Sequence, residues 1–373
     1  MRIEREQVHA WRLRRQFLQP RARGGAVEIV GRLCGVQAQV ASAAETAVAV
    51  RSSRPRPGAV ERALAAGELV KVWAMRGTLH VLPAGEAGAF LALLAATRTW
   101  EKPAWQRAFG VSPGEVAELA EAVGELLGNE VLTRDELVAG LVADRRFAHL
   151  EKQLRSGWGA LLKPLAWQGV LCHGPARGGR ATFTRPSAAT GDRWQGLPET
   201  EEAAAAAIPA YLGAYGPATP EAFDAWLSGG TMRKPMLRSL FAALGDRLAA
   251  VEVEGRRAYI RAEDADELAA ARPSRAVRLL GAFDQYVLGP GTKDTGMLDA
   301  QHRAQVSRQA GWISPVVVAG GRIAGVWETV DDELRVRLFP GAEPPERAAL
   351  EAEAARLAPA GGGGGLRIVE PAP

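Results

Sequence analysis

The chain has 373 residues, 47% hydrophobic and 24% charged, with a formal net charge of +4. That length suits two to four small domains, the composition excludes a disordered or fibrous chain, and no apolar run reaches the roughly 18 residues a membrane span needs. Cys34 and Cys172 offer neither a metal-ligand spacing nor a disulfide framework, which fits a reducing cytoplasm.

The first segment, "MRIEREQVHAWRLRRQF", is charged and amphipathic, so no secretory leader is expected. Residues 5–18 and 26–36 carry apolar stripes at helical spacing: Val8, Trp11 and Leu13, then Val27, Val30, Leu33 and Val36. Ser42 is placed to cap a short helix running towards Val50, and Pro57 to open the helix in "PGAVERALAAGELV". "LVKVWAMRGTLHVLP" then reads as a β-hairpin turning at Arg76-Gly77. Helices followed by a hairpin is the order of a winged helix-turn-helix.

The order recurs. Residues 84–98 and 113–128 are helical, Thr133 with Glu136 forms a capping box, a helical stretch broken at Pro164 follows, and "VLCHGPARGGRATFTRP" turns at Gly178-Gly179. In the third pass, a helix at 200–213 precedes one started by Thr219-Pro220. "RKPMLRSLFAALG" then leads into a hairpin turning at Glu254-Gly255. From residue 276 the chain is strand-rich, with one helix at 345–357 and five glycines, 361–365, read as a flexible connector to a last strand. The expected fold is therefore α+β, with three tandem winged helices at residues 1–83, 84–187 and 198–262 and a small barrel-like β-domain at 275–373.

Charge is uneven. Residues 1–110 hold 17 Lys/Arg against 8 Asp/Glu, and residues 145–193 hold 9 against 2. Such regions either attract a polyanion or are solvated helix faces. Winged helices likewise serve as DNA readers or as protein scaffolds, and the fold alone names no chemistry.

"VQAQ" at residues 36–39, "WAMRGTLHVLP" in the first hairpin and "LLGAFDQYVLGP" at the start of the β-domain together resemble the AlkZ-type DNA glycosylases. The order of these landmarks runs from about residue 5 to 370. The resemblance implies tandem winged helices and a glutamine–aliphatic–glutamine motif. It implies excision of N7-alkylated purines from double-stranded DNA, including purines bridged in azinomycin-type interstrand crosslinks. Its setting would be base excision repair and self-resistance.

Gln37 and Gln39 then become the catalytic candidates. An N7-alkylguanine already carries a positive charge, so it departs without enzymatic protonation and no strong carboxylate base is required. Two amides can place a water against C1′ and offset the charge on the sugar. On a helix, residues two apart diverge by about 200°, so the backbone should be leaving the helix here. The plain alternative is one glutamine capping a helix and the other solvated. With six lysines in the chain and none near the motif, a monofunctional enzyme without lyase activity is expected. The absence of clustered His, Cys or acidic residues predicts neither metal nor cofactor.

Strand alternation would put Arg76, Thr78 and His80 on one face of the first hairpin. Arg76 suits a phosphate, and His80 either bonds sugar or phosphate or ties the hairpin to a helix. Trp73 reads as core. Lys163, Arg177 and Arg180 are candidate backbone contacts. Arg322, beside Gly320-Gly321, is either a groove-probing tip or an ordinary turn. Asp284 and Tyr286 read as domain-junction residues with no catalytic step. Without a dimerisation helix, a monomer acting on DNA and not on membranes is expected. The rival reading is a non-enzymatic winged-helix DNA-binding regulator or scaffold.

Overall fold

Short helices and antiparallel hairpins alternate along the computed structural model, which describes residues 1–331, 333–357 and 366–369. The glycine connector expected at 361–365 lies outside the described residues. The class is mixed α+β, and the chain divides into two units that interleave in sequence. The first holds Met1–Ala59, Pro209–Ala222 and Gly245–Pro373, and the second Val60–Ile208 and Phe223–Leu244.

In the first unit, the strand Arg2–Ile3 pairs in parallel with Leu248–Val253, which forms a hairpin with Arg256–Arg261. Their apolar positions meet Val8 and Trp11 of the helix Arg5–Arg15 in one core. The predicted third hairpin is thus completed by the N-terminal strand, whose register partners lie 250 residues away in sequence. Its turn is as read: Glu254 and Gly255 both take positive φ, 48° and 75°.

The C-terminal strands Val277–Leu280, Val316–Ala319, Arg322–Val330 and Glu333–Leu338 form an antiparallel meander, and Leu366–Val369 joins in parallel. Alternation gives the sheet two apolar faces. Leu280, Val316 and Val318 face a core with Leu13, Leu18, Ala43 and Val50, while Leu279, Val317 and Val336 face Leu350 of the helix Arg347–Leu357. Among the described residues the sheet order begins at Val277–Leu280 and ends at Leu366–Val369 without closing, so in place of the expected barrel there is an open sheet with an apolar core on each face. A two-faced apolar pattern is common to both architectures.

In the second unit, Leu69–Trp73 and Leu79–Pro83 form the predicted hairpin, and Lys71 pairs with His173 of the short strand Cys172–His173. Thr182–Thr184 and Leu132–Thr133 extend the ladder. Hairpins read as belonging to separate domains therefore share one sheet. Trp73 is core, stacked on Phe183 at 5.7 Å and edge-on to His173 at 4.7 Å. The Thr133 capping box forms as expected, Thr133 Oγ1 accepting from Glu136 N–H. Pro164 does not break its helix, Leu162–Trp167, because it sits in the first turn where its missing N–H has no partner to lose.

Candidate active site

The helix expected at 26–36 stops earlier, at Ala26–Arg32. Cys34 and Gly35 both take positive φ, 53° and 99°. Cys34 N–H donates to Gly31 O and Gly35 N–H to Val30 O, each at 2.9 Å. This is a Schellman stop with cysteine, not glycine, in the left-handed position, a strain of about 1–2 kcal/mol. The buried Tyr215 hydroxyl donates to Leu33 O, satisfying a further helix-end carbonyl.

The backbone is therefore extended when it reaches Val36–Gln37, and it bends at residues 39–40 before the helix Ala41–Arg51. Val40, not Ser42, occupies the cap position of that helix, with no side-chain cap. Along an extended chain, residues two apart share a side, which a helix would deny them. Gln37 is 7% exposed, and its Oε1 accepts no hydrogen bond from any described residue. An orphaned buried carbonyl costs about 1–3 kcal/mol, so the position suits an acceptor awaiting a donor. Gln39 is exposed.

The helix after the motif is fixed at its far end. Arg51 Nη1 and Nη2 donate to Asp284 Oδ2 and Oδ1 at 2.7 Å each, with the two side chains 0% and 1% exposed. Arg51 Nη1 also donates to Ala47 O at 2.9 Å, and Asp284 accepts from Tyr286 N–H at 2.8 Å. Thr46 lies so close to Gly281 that a Cβ there would be 2.8 Å from Thr46 Cγ2. Asp284 thus anchors Arg51, at the end of the helix that follows the glutamines. Sequence reading missed its partner Arg51 and the Tyr215 contact, because both are set by pairings across some 180 to 230 residues.

The candidate DNA contacts fare unevenly. Arg76, Thr78 and His80 do not share a strand face. Arg76 sits in a 3-10 turn, Met75–Gly77, with φ 56°, and Thr78 lies outside the strand. The tight turn replaces the alternation expected there. Arg76 Nη1 donates to Trp226 O at 2.8 Å and Thr78 Oγ1 to Met75 O at 3.1 Å. His80 is 1% exposed and bonds Thr78 O through Nδ1 at 3.0 Å, while Nε2 has no described partner. Burial, then the Arg76 charge, pulls its pKa down to about 3, so the ring is neutral. His80 thus bonds its own hairpin, not a helix.

Arg177 and Arg180 are exposed but lie 3.3 Å from Glu136 and 4.0 Å from Asp135, respectively. Lys163 is half-buried beside Gly77, with its pKa lowered by burial. Arg322 does not head a free tip: its Nη1 donates to Gly296 O at 2.9 Å. Gly321 O accepts from Tyr286 Oη at 2.7 Å, and a Cβ on Gly321 would strike His9. The turn is anchored because glycine lets it settle against His9 and Tyr286.

Among the described residues no group of three or more His, Cys, Asp or Glu could hold a metal ion, and no helix is long and apolar enough to cross a membrane. A groove of about 980 Å³ on the C-terminal sheet, lined by Trp312, Trp327, Arg308 and Arg337 among others, does not include the glutamines.

The family model described as DNA glycosylase AlkZ-like matches residues 30–360. The chain is 56% identical over 362 residues to an interstrand DNA cross-link repair glycosylase of Streptomyces sahachiroi, covering 97% of this chain and 98% of that protein. The solved structure of the Streptomyces sahachiroi DNA glycosylase AlkZ matches with a TM-score of 0.96 at 55% identity, over 99% of this chain and 100% of that one.

Proposed function

The chain belongs to the AlkZ-like DNA glycosylases, and from that premise we propose that it hydrolyses the N-glycosidic bond of cationic N7-alkylpurines and unhooks interstrand crosslinks. The observation that carries the chemistry is the unpartnered Oε1 of Gln37, held on extended backbone two residues before the exposed Gln39. Gln37 and Gln39 together orient the water that attacks C1′. One amide carbonyl accepts from that water, while the other amide fixes its position or turns its dipole to the oxocarbenium-like sugar. The cationic purine departs with the bonding electrons as a neutral base and needs no proton, and the proton lost by the attacking water passes to solvent, so two neutral amides suffice. A purine tethered to both strands cannot rotate into a deep pocket, the usual route to base chemistry. Glutamines at or just beneath the surface suit such a substrate.

The tandem winged helices are read as the DNA-binding scaffold, with the enzyme working as a monomer. Lys163, Arg76, Arg177, Arg180 and Arg322 are the backbone-contact candidates. Thr78 and His80 support the turn that carries Arg76.

The test is product analysis on a duplex carrying N7-methylguanine. Free base and an abasic site cleaved only by added alkali are expected. Unchanged DNA, bound at a preferred sequence, would favour the regulator; strand cleavage without alkali would contradict a monofunctional mechanism.

A further inference from the structure

Trp158 is the most exposed large hydrophobic side chain among the described residues, 76% accessible. It sits in the turn Ser156-Gly157-Trp158-Gly159, which is held from both sides. Before it, Arg134 Nη1 donates to Leu154 O at 3.1 Å and Ser156 O at 3.0 Å, with its guanidinium 5.1 Å from the Phe183 ring. After it, Gly159 takes φ +63° and approaches the Trp73 indole so closely that a Cβ would lie 2.4 Å away. Gly159 N–H closes the turn onto Ser156 O at 3.1 Å, and Gly159 O accepts from Leu162 and Lys163 N–H at 3.0 and 2.9 Å. The turn thus fixes an indole in water. An isolated exposed apolar side chain is ordinary, but one carried on a buttressed turn is poised for a partner.

The surroundings indicate the partner's chemistry. Residues 145–193 hold nine Lys/Arg against two Asp/Glu. Lys163 N–H donates to Gly159 O of the same turn, and burial lowers the pKa of its ammonium. Arg155 and Arg146, by contrast, are each paired with two carboxylates. An exposed aromatic on the turn that leads into Lys163 matches the alternation of base or sugar with phosphate in nucleic acid. We infer that Trp158 is a DNA-contacting wedge, packing its indole on the base and deoxyribose edges of the duplex while Lys163 takes a neighbouring phosphate. This rests on DNA being the partner, and it adds an apolar contact to the cationic ones considered above.

The experiment is fluorescence anisotropy of a labelled undamaged duplex with wild type, Trp158→Ala, Trp158→Phe and Lys163→Ala, between about 50 and 200 mM salt. Trp158→Ala should weaken binding about tenfold at every salt concentration, leaving the slope of log K against log salt unchanged, since no cation is lost. Trp158→Phe should retain most of the affinity. Lys163→Ala should instead reduce the slope by about 0.9. Wild-type affinity in Trp158→Ala would overturn the inference, as would a wild-type dimer that this substitution dissociates. Failure of the wild type itself to bind would overturn the DNA reading on which the inference stands, so the two failures are separable.

Discussion

Asp284→Ala should be among the most destabilising single changes in the first unit, because its carboxylate is committed to Arg51 and Tyr286 N–H. The carboxylate holds Arg51 through two 2.7 Å bonds with both side chains essentially inaccessible. Removing one partner of such a pair leaves a buried uncompensated charge, at a cost of about 3–5 kcal/mol. The lost acceptor for Tyr286 N–H adds about 1 kcal/mol. The expected total, about 4–6 kcal/mol, is a large part of a typical domain's 5–15 kcal/mol. For a unit of roughly 200 residues it lowers the melting temperature by about 10–20 °C. Urea unfolding followed by circular dichroism measures it, with Arg51→Met and the double variant Arg51→Met/Asp284→Ala completing a cycle. The double variant should lose less than either single change predicts, because it leaves no orphaned charge. An Asp284→Ala protein within about 1 kcal/mol of wild type, or a double variant losing the full sum of the two, would refute the reasoning.

Tyr215→Phe removes only the hydroxyl bonded to Leu33 O. We expect a stability loss of about 1–3 kcal/mol and a slower single-turnover excision with DNA affinity unchanged. An unaltered rate would mean that the Gln37 loop is held by other contacts. Gly289→Ala would set a Cβ 2.1 Å from the Tyr215 ring, an overpacking cost of about 1–3 kcal/mol that a thermal melt detects. His80 and His173 both have pKa values lowered to about 3, chiefly by burial. Above about pH 6.5 neither state binds their protons; as pH falls from there towards 3, only the unfolded chain does. Stability should therefore fall on acidification by about 1.4 kcal/mol per pH unit for each histidine. His80→Gln should reduce the slope measured between pH 6 and 5; an identical slope would show that His80 protonates while folded.

Local chemistry was legible and long-range pairing was not. The Thr133–Glu136 box and the positive-φ turns at Gly178-Gly179, Glu254-Gly255 and Gly320-Gly321 are decided within four residues, and all four are observed. Gly35 is a helix-stop signal, so the early end of the helix before the glutamines was readable, yet the apolar stripe through Val36 outweighed it. Two amides at 37 and 39 were identifiable as candidates, and the requirement that the backbone leave the helix there matches the extended Val36–Gln37. What holds that backbone was not readable. Tyr215 is 182 residues from Leu33 and Asp284 is 233 from Arg51, distances over which apolar pattern carries no information. The sharing of one sheet by two predicted hairpins rests on a single register pair, Lys71 with His173, and the open C-terminal sheet on which strands lack neighbours. Arg322 and His80 show the matching limit for sites: residue type suggested a groove or phosphate contact, but not that each also bonds a backbone carbonyl, Gly296 O and Thr78 O.

The central claim is that two neutral amides perform the hydrolysis, and single-turnover release of N7-methylguanine from a labelled duplex tests it most directly. Wild type is compared with Gln37→Ala and Gln39→Ala at enzyme concentrations that saturate the DNA. The account predicts a loss of about 10²-fold or more in each variant with affinity for the duplex retained. Release at the wild-type rate in both variants would place the chemistry elsewhere and leave residues 36–39 as a connection between two helices.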